Sequence, residues 1–323
     1  MSQENQPLDR QAFAGMALSP VGFEEAEALA LAAKAGESAA RIRLAAALMG
    51  AAFGAPEHSA ALYDAIALGW SGTPVKAEPI PDSGEAPLPL TQQFWSAFWD
   101  LFDARASLDA GDVTMRVAVL GSLVSPEFQA RAAAACCAYP GVNDVDTAEM
   151  PPRVKLDDLA TCPSGSLGNA FYRLIVDNKF DLEVLDRDAL ALGSLMPPLN
   201  YLNTRILQAH DLWHIVGGYD VTQLHEIAIS AFQLAQFGHS YSAMFLAFIA
   251  AISAEGEAAG FALAMETIVS AWKHGRETAP LMRIEWENVW RRSAQSIRDE
   301  YGIIPYRSPY PADILEQLSG LRV

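Results

Sequence analysis

Two histidines and two carboxylates lie close together in the sequence and could bind a metal ion. His210 and His214 enclose Asp211, and eleven residues separate His214 from Glu226. Residues four apart lie on one face of an α-helix, about 6 Å apart along its axis, so both imidazoles could reach one ion. From spacing alone, a pair of histidines that binds no metal is an equally good interpretation, since such pairs also occur on helix surfaces and in cores.

The residue types indicate which ion such a site would hold. Mixed nitrogen and oxygen ligands are typical of Zn²⁺, Mn²⁺ or Fe²⁺, whereas Ca²⁺ and Mg²⁺ prefer oxygen alone. Asp211 lies about 100° around the helix from His210. It could therefore bind the ion directly or orient a ligand through a hydrogen bond. HD-type phosphohydrolases share the His-Asp pair but need another upstream histidine, and the only earlier one, His58, is more than 150 residues away.

Two helices must position these side chains. Gly217 and Gly218 should end the helix that carries both histidines, because glycine readily adopts the left-handed conformation of helix ends. Asp220 or Thr222 could cap the following helix, which carries Glu226. Two antiparallel or crossing helices would bring the Glu226 carboxylate back to the histidines.

Helical periodicity extends through much of the chain. It dominates from Leu167 to Tyr301, while Val113 to Val124 is the only plausible strand and is equally compatible with a helix. The sequence therefore predicts a mainly α, multi-helix bundle with little or no sheet and with the metal site between two helices.

The chain divides into four predicted segments. Residues 1–18 are polar and are expected to form a flexible tail, and residues 19–110 form an N-terminal helical region of unknown role. Residues 111–305 are expected to form a metal-binding helical domain, followed by a C-terminal tail over residues 306–323. Proline-rich residues 73–89 are predicted to be a linker or a long loop.

Composition excludes several classes of protein. The chain has 22 Lys and Arg against 39 Asp and Glu, a net charge of −17 that repels phosphate backbones, so we expect no nucleic-acid partner. The purely apolar part of the longest uncharged segment, residues 243–252, is too short to span a bilayer core of about 30 Å. The N-terminus lacks a secretory signal pattern. We therefore expect a soluble or membrane-peripheral protein.

Three further features have both a functional and a structural interpretation. Small residues over 163–168 precede a predicted helix and could bind an anion, unless Ser166 is an ordinary helix cap. An apolar stripe could line a tunnel for a lipid tail, although such stripes are usually core; it comprises Phe232, Phe237, Met244, Phe245, Phe248 and Phe261. The remaining C-terminal histidines are expected to be structural or surface residues; they are His225, His239 and His274.

The motif and its flanks resemble the coenzyme Q biosynthesis protein 4 family. All four positions of that family's H-D-x-x-H-x(11)-E motif match, and residues 201–205 before it are similar. Other similar positions are Pro163 to Gly168, Tyr172, Trp272, Gly275, Trp286, Glu287, Arg298, Gly302 and Ile303. The resemblance covers about residues 163–304 and extends more weakly to 112. His225 and His239 depart from it, since glycine and proline are expected there.

This resemblance implies an all-helical, membrane-peripheral protein with an isoprenoid-binding cavity. It implies that His210, Asp211, His214 and Glu226 bind a divalent metal, with Zn²⁺ as the expected ion. The implied reaction is the (oxidative) decarboxylation at ring carbon C1 of a polyprenylated 4-hydroxybenzoate precursor. Arg205 is a candidate catalytic residue that could neutralise the substrate carboxylate, with an ordinary ion pair as the equal alternative.

Two other functions stay open at this point. One is a non-catalytic scaffold that binds an isoprenoid or quinone lipid and organises other ubiquinone-biosynthesis enzymes, and the other is an HD-like phosphohydrolase. The expected partners are a polyprenylated aromatic lipid, other proteins of ubiquinone biosynthesis and a membrane surface. A homodimer is a further expectation from the apolar C-terminal helices. The expected location is the cytoplasm, with peripheral attachment to the inner face of the cytoplasmic membrane as an open alternative.

Overall fold

Segments rich in alanine and leucine, separated by glycine and proline, fold into α-helices. The computed structural model describes residues 8–108, 110–142, 145, 149–182, 187–188 and 190–320. These residues contain fifteen α-helices and no strand, which confirms the predicted mainly α class. The ambiguous segment Val113 to Val124 is helical over most of its length.

The N-terminal region forms four helices: α1 (Arg10–Ala17), α2 (Phe23–Lys34), α3 (Ser38–Gly54) and α4 (Ser59–Ser71). The predicted flexible tail over 1–18 is wrong for residues 8–18, and residues 1–7 lie outside the described part. The Asp9 side chain caps α1 by accepting from two backbone N–H groups. Phe13 is fully buried and stacks on Phe98, so burial of one apolar face outweighs the polar composition of the segment.

The middle of the chain begins with the proline-rich loop predicted over residues 73–89. The loop is fastened to α3, because the Leu88 N–H donates to the Gly54 carbonyl at 2.9 Å. The helices that follow are α5 (Gln92–Ala104), α6 (Ala110–Gly121), α7 (Pro126–Cys136), α8 (Leu156–Ala160) and α9 (Leu167–Asn178).

The C-terminal region carries six of the described helices, among them the two longest. They are α10 (Leu199–Gly217), α11 (Gln223–Phe237), α12 (Ser240–Glu255), α13 (Ala258–Glu277), α14 (Ala294–Tyr301) and α15 (Ile314–Gly320). The predicted C-terminal tail is packed against the start of α11 over its described part: the Thr222 hydroxyl donates to the Ala312 carbonyl at 2.7 Å, and the Gln223 N–H to Glu316 at 2.8 Å. Residues 321–323 lie outside the described part.

The core is centred on α12, which packs against α3, α11 and α13. Helix α13 in turn packs against α4 and closely against α11. A Cβ atom on Gly275 would lie 2.7 Å from the Ala235 Cβ, so only glycine allows the approach of α13 to α11. Residues 19–110 and 111–305 therefore share one continuous hydrophobic core, although the boundary between them stays a prediction.

The apolar stripe belongs to this core. Five of its six members are buried, and Phe245 is half-buried against them. The core interpretation is therefore the one that the structure supports. Among the helices that the structure describes, none combines the length and the apolar character that a bilayer crossing requires.

Candidate metal centre

The helix–turn–helix predicted from the glycine pair is present between α10 and α11. Gly218 has a left-handed backbone with φ of 78°, and its N–H donates to the His214 carbonyl at 3.0 Å. A Cβ atom on Gly218 would lie 2.8 Å from the Pro305 Cβ, which also requires glycine there. Thr222 caps α11 by accepting from the His225 N–H. This tight connection places Glu226, in the first turn of α11, opposite the histidines of α10.

Three donor groups converge at this point. The Nε2 atoms of His210 and His214 lie 3.1 Å apart. Each lies 3.3 Å from an oxygen of Glu226, His210 from Oε2 and His214 from Oε1. Donors bound at about 2.0–2.1 Å from a tetrahedral ion lie about 3.3 Å from one another. The spacing of the three groups therefore suits one bound ion.

The second nitrogen of each histidine also fits a ligand role. His214 Nδ1 lies 3.2 Å from the Tyr219 carbonyl, which can only accept, so Nδ1 carries the hydrogen and Nε2 offers its lone pair to the cluster. His210 Nδ1 lies 2.6 Å from the side-chain amide of Gln233. Metal-binding histidines commonly have such partners, which fix the ring orientation and the tautomer.

Asp211 lies beside these donors. A carboxylate oxygen of Asp211 and the ligand nitrogens of His210 and His214 all lie within 4.8 Å of one another. The structure thus brings all four predicted ligands into one neighbourhood, with the two histidines and Glu226 in direct contact. The site opens to solvent on the side of Glu226, whose side chain is 43% exposed, while that of His214 is 1% exposed.

The electrostatics of the cluster favour a cation. Burial acts to raise the pKa of Glu226, but hydrogen bonds from the protonated forms of His210 and His214 outweigh it and lower that pKa. Burial acts to lower the pKa of His210, but the hydrogen bond and charge of Glu226, together with the Asp211 charge, raise it. A proton or a metal ion can supply the positive charge that these shifts favour.

Comparison with known proteins places this centre within a matched region. Residues 149–307 match the family model described as Coenzyme Q (ubiquinone) biosynthesis protein Coq4. We refer to these matched residues as the Coq4-family region. All four predicted ligands of the centre lie within the Coq4-family region.

Curated relatives match a similar part of the chain. The "Ubiquinone biosynthesis protein COQ4 homolog, mitochondrial" of Drosophila ananassae is 28% identical over 146 residues, 45% of this chain and 53% of that protein. The "Ubiquinone biosynthesis protein COQ4, mitochondrial" of Eremothecium gossypii is 26% identical over 162 residues, 47% of this chain and 46% of that protein. This chain thus spans about half the length of the curated relatives it matches.

A solved structure is also similar. The crystal structure of a protein assigned to ubiquinone biosynthesis in Nostoc punctiforme PCC 73102 aligns with a TM-score of 0.49 at 24% sequence identity. The alignment covers 65% of this chain and 96% of that chain.

Arg205 lies in the same Coq4-family region, but its partner is a carboxylate outside the cluster of predicted ligands. Its guanidinium makes a bidentate ion pair with Glu287, with Nη1 2.5 Å from Oε1 and Nη2 2.8 Å from Oε2. Arg205 is buried, and the side chain of Glu287 is 31% exposed. The ion pair is therefore the arrangement that the structure shows, and a catalytic role for Arg205 stays a prediction.

The other C-terminal histidines have structural contacts. His225 points away from the cluster, because its Nδ1 accepts from the Asp220 N–H at 2.7 Å. His274 Nε2 donates to the Ile304 carbonyl at 2.6 Å, so its Nδ1 accepts from the Tyr219 hydroxyl, also at 2.6 Å. Burial lowers the pKa of both histidines, which keeps their rings neutral. The structural interpretation of these two residues is confirmed.

Ser166 takes the simpler of its two predicted roles. Its hydroxyl accepts from the Asn169 N–H at 3.3 Å, which makes Ser166 the N-cap of α9.

Sequence analysis missed two residues that support the centre. Gln233 contacts His210, and the Tyr219 carbonyl contacts His214. A signal for Gln233 was present, since it lies seven residues after Glu226 and therefore on the same face of α11. The Tyr219 contact uses the main chain, so its residue type gives no signal.

Proposed function

We propose that this chain acts in ubiquinone biosynthesis as a metal-dependent enzyme that removes the carboxyl group from ring carbon C1 of a polyprenylated 4-hydroxybenzoate precursor. The main support is the convergence of His210 Nε2, His214 Nε2 and the Glu226 carboxylate at 3.1–3.3 Å from one another. A second support is the location of these ligands within the Coq4-family region, whose relatives are named for ubiquinone biosynthesis.

His210, Asp211, His214 and Glu226 would hold a divalent ion, for which the donor set favours Zn²⁺. Such an ion supplies Lewis-acid chemistry toward a carboxylate or a ring oxygen. The Tyr219 carbonyl fixes the His214 ring, and Gln233 fixes that of His210. The substrate would approach from the solvent side, next to Glu226.

The proposed reaction breaks the bond between C1 and the carboxyl carbon, and the carboxylate leaves as CO₂. The electron pair of that bond stays on C1, which takes up one proton. In an oxidative version, C1 instead receives a hydroxyl group from O₂, while a two-electron donor and protons convert the other oxygen atom to water. Since Zn²⁺ is redox-inert, those electrons must come from a separate reductant.

The decisive test compares two isosteric substitutions. Glu226→Gln removes one ligand charge, whereas Glu257→Gln removes an equal charge from an exposed position before α13. We expect about one Zn²⁺ per wild-type chain by mass spectrometry after dialysis, with at least ~100-fold weaker binding in Glu226→Gln and no change in the control. Decarboxylation of a short-chain prenylated 4-hydroxybenzoate should be lost in the same variant.

Three results would contradict this proposal. Full turnover by a metal-free Glu226→Gln protein would show that the reaction does not depend on the ion. A folded, metal-loaded wild-type protein that binds the precursor without turnover, together with loss of the mature quinone when the gene is deleted, would favour the scaffold function. Phosphate release from prenyl phosphates would instead favour the phosphohydrolase.

The remaining partners follow from the proposed substrate. A polyprenyl tail resides in a membrane, so we propose peripheral contact with the cytoplasmic face of a membrane, where other ubiquinone-biosynthesis proteins could also bind. Co-sedimentation with phospholipid vesicles tests the membrane contact. Analytical ultracentrifugation tests the expected homodimer, and a single monomer boundary across the concentration range would remove that expectation.

A further inference from the structure

A chain of hydrogen-bonded side chains leads away from His210. The side-chain amide of Gln233 lies 2.6 Å from His210 Nδ1, and the Ser242 hydroxyl lies 3.2 Å from the same amide. Ser242 Oγ in turn lies 2.9 Å from His239 Nδ1. Gln233 and Ser242 are both buried, at 3% and 0% exposure. Three helices are thereby linked, since His210 belongs to α10, Gln233 to α11 and Ser242 to α12.

Each group along this chain can donate at one end and accept at the other, so the chain has two self-consistent directions. In the first, Gln233 donates to His210 Nδ1, Ser242 donates to Gln233, and His239 Nδ1–H donates to Ser242. In the second, His210 Nδ1–H donates to Gln233, whose amide is rotated by 180°, Gln233 donates to Ser242, and Ser242 donates to His239 Nδ1. Reversal therefore needs one amide rotation, one hydroxyl rotation and, at each imidazole, exchange of a hydrogen with solvent, which removes it from one ring nitrogen and adds it to the other.

The state of His210 selects the direction. A neutral His210 that carries its hydrogen on Nε2 has a lone pair on Nδ1, which requires the first direction. A His210 bound to an ion through Nε2 carries its hydrogen on Nδ1, which requires the second. His239 follows in each case: its Nε2 has a lone pair in the first direction and an N–H in the second.

We propose that Gln233 and Ser242 transmit the occupancy of the metal centre to His239, so that His239 Nε2 is a hydrogen-bond acceptor while His210 is neutral and metal-free and becomes a donor when His210 binds the ion. This inference rests on the proposed metal site. Gln233 and Ser242 are positioning residues in this account, and His239 determines specificity.

The surroundings of His239 indicate what its donor would recognise. The ring lines a small pocket between the start of α10 and the turn that joins α11 to α12. Most of the pocket surface is apolar and comes from Leu199, Leu202, Ile206 and Phe237. The free space is about 10 Å³, enough for one acceptor oxygen, such as that of a water molecule or of a carboxylate, phenol or carbonyl group that enters from outside. Coupling to the centre would make the metal-loaded protein the form that binds it.

The His239 ring is suited to a change of tautomer rather than of charge. Burial, with a smaller contribution from the positive charge of protonated His210, lowers the pKa of His239 to about 3. A neutral imidazole has one donor and one acceptor nitrogen, and the partner of Nδ1 decides which is which.

Nitrogen NMR of the full chain tests the proposal directly. Long-range ¹H–¹⁵N spectra separate the two histidine tautomers, and a His239→Gln spectrum assigns the His239 signals. The measurement compares ¹⁵N-labelled protein with and without one equivalent of Zn²⁺ at mildly alkaline pH, where free histidines are neutral. We expect the His239 hydrogen to move from Nδ1 to Nε2 on addition of Zn²⁺.

Two variants separate a transmitting role from a merely structural one. Ser242→Ala breaks the chain at its middle and should leave Zn²⁺ bound while the His239 tautomer no longer responds. Gln233→Met removes the partner of His210 and should weaken Zn²⁺ binding about 10–100-fold in a chelator competition. Thermal melting checks that each variant is folded. If Gln233→Met does not fold, Ser242→Ala alone still tests the proposal.

The outcomes distinguish this proposal from the proposed function. Zn²⁺-dependent shifts at His210 with an unchanged His239 tautomer in the wild type would overturn the proposal and leave the metal site intact. A His239 response that persists in Ser242→Ala would also overturn it. Absence of any Zn²⁺ effect at His210 and His214 would overturn both.

Discussion

Buried charges occur in two kinds of region, and they differ in whether a cation is built in. In the first kind, an arginine neutralises a carboxylate, as in Arg131 with Glu57, Arg205 with Glu287, and Arg276 with Asp64. In the second, between α10 and α11, two imidazoles and a carboxylate face one another with no arginine or lysine between them. In the first arrangement the arginine balances the charge of the carboxylate, whereas in the second a proton or a metal ion must supply the positive charge.

The ion pairs also lie where parts of the chain join. Arg276 of α13 and Asp64 of α4 connect the C-terminal and N-terminal helices, and Trp272 Nε1 donates to the same aspartate at 2.8 Å. Arg205 connects α10 to Glu287, which is 82 residues away in sequence. Such pairs are typical of structural roles. A cluster of metal-binding side chains without a charge partner is therefore a better sign of a functional site than burial of charge alone.

The largest predicted effect comes from breaking the most buried of these pairs. Arg276→Met leaves Asp64 without its cation and should lower the free energy of unfolding by about 3–5 kcal/mol. Urea denaturation measures this, and the affinity for Zn²⁺ should stay within about twofold. Arg276→Met combined with Asp64→Leu should recover much of the loss; a double variant as unstable as the single one would contradict the ion-pair explanation.

The second prediction concerns the cluster. Zn²⁺ at about 100 times its dissociation constant should raise the free energy of unfolding by about 2.7 kcal/mol, because only the folded protein holds the ligands together. His214→Ala should abolish this gain, and a chelator should reverse it in the wild type. His58→Asn, which removes a histidine far from the cluster in sequence, should retain the full Zn²⁺ effect. Equal stabilisation of all three proteins would place the ion elsewhere.

Arg205 supplies a smaller and pH-dependent effect. Burial acts to raise the pKa of Glu287, but the Arg205 hydrogen bonds lower it. The pair therefore contributes stability above the ordinary glutamate pKa, and this contribution is lost as the pH falls through the lowered value. Arg205→Met should lower the free energy of unfolding by about 1–3 kcal/mol at neutral pH. It should also remove the part of the stability loss at low pH that comes from this pair, as measured by urea denaturation from pH 7 to 3. An unchanged acid dependence would contradict this.

At neutral pH the smallest effect is that of His239, and it grows as the pH falls. Its folded pKa of about 3 lies below the ordinary histidine value, so the unfolded chain binds a proton first as the pH falls. His239 therefore reduces stability progressively from about pH 6.5 downward. His239→Phe should make the loss of stability over this range shallower. A steeper loss in the variant would show that His239 is protonated in the folded protein.

Local spacing predicted the helices that carry the site. The i, i+4 histidines, the glycine pair that ends α10 and the Thr222 cap of α11 are all properties of neighbouring residues, and the structure has each of them. The approach of Glu226 followed from the short turn. Helix α1 was missed because its stability depends on burying Phe13 against Phe98, a contact that local composition does not indicate.

Contacts between residues far apart in sequence could not be predicted from local spacing. The pairing of Arg205 with Glu287 and the contact of Ser242 with Gln233 depend on how helices cross, which periodicity leaves open. The departure of His239 from the expected proline was visible in the sequence. The hydrogen bond between His239 and Ser242 could not be predicted from the sequence, because it depends on the conformation of the turn before α12.

The packing of α3 against α12 has a consequence for how this protein can evolve. Helix α3 precedes the residues that match the family, yet α12 carries Ser242 in its first turn. A substitution that changes a side-chain volume in α3 would shift α12 and alter the contact between Ser242 and Gln233. Sequence drift in the N-terminal half therefore provides a route for adjusting the candidate metal centre while its predicted ligands stay the same.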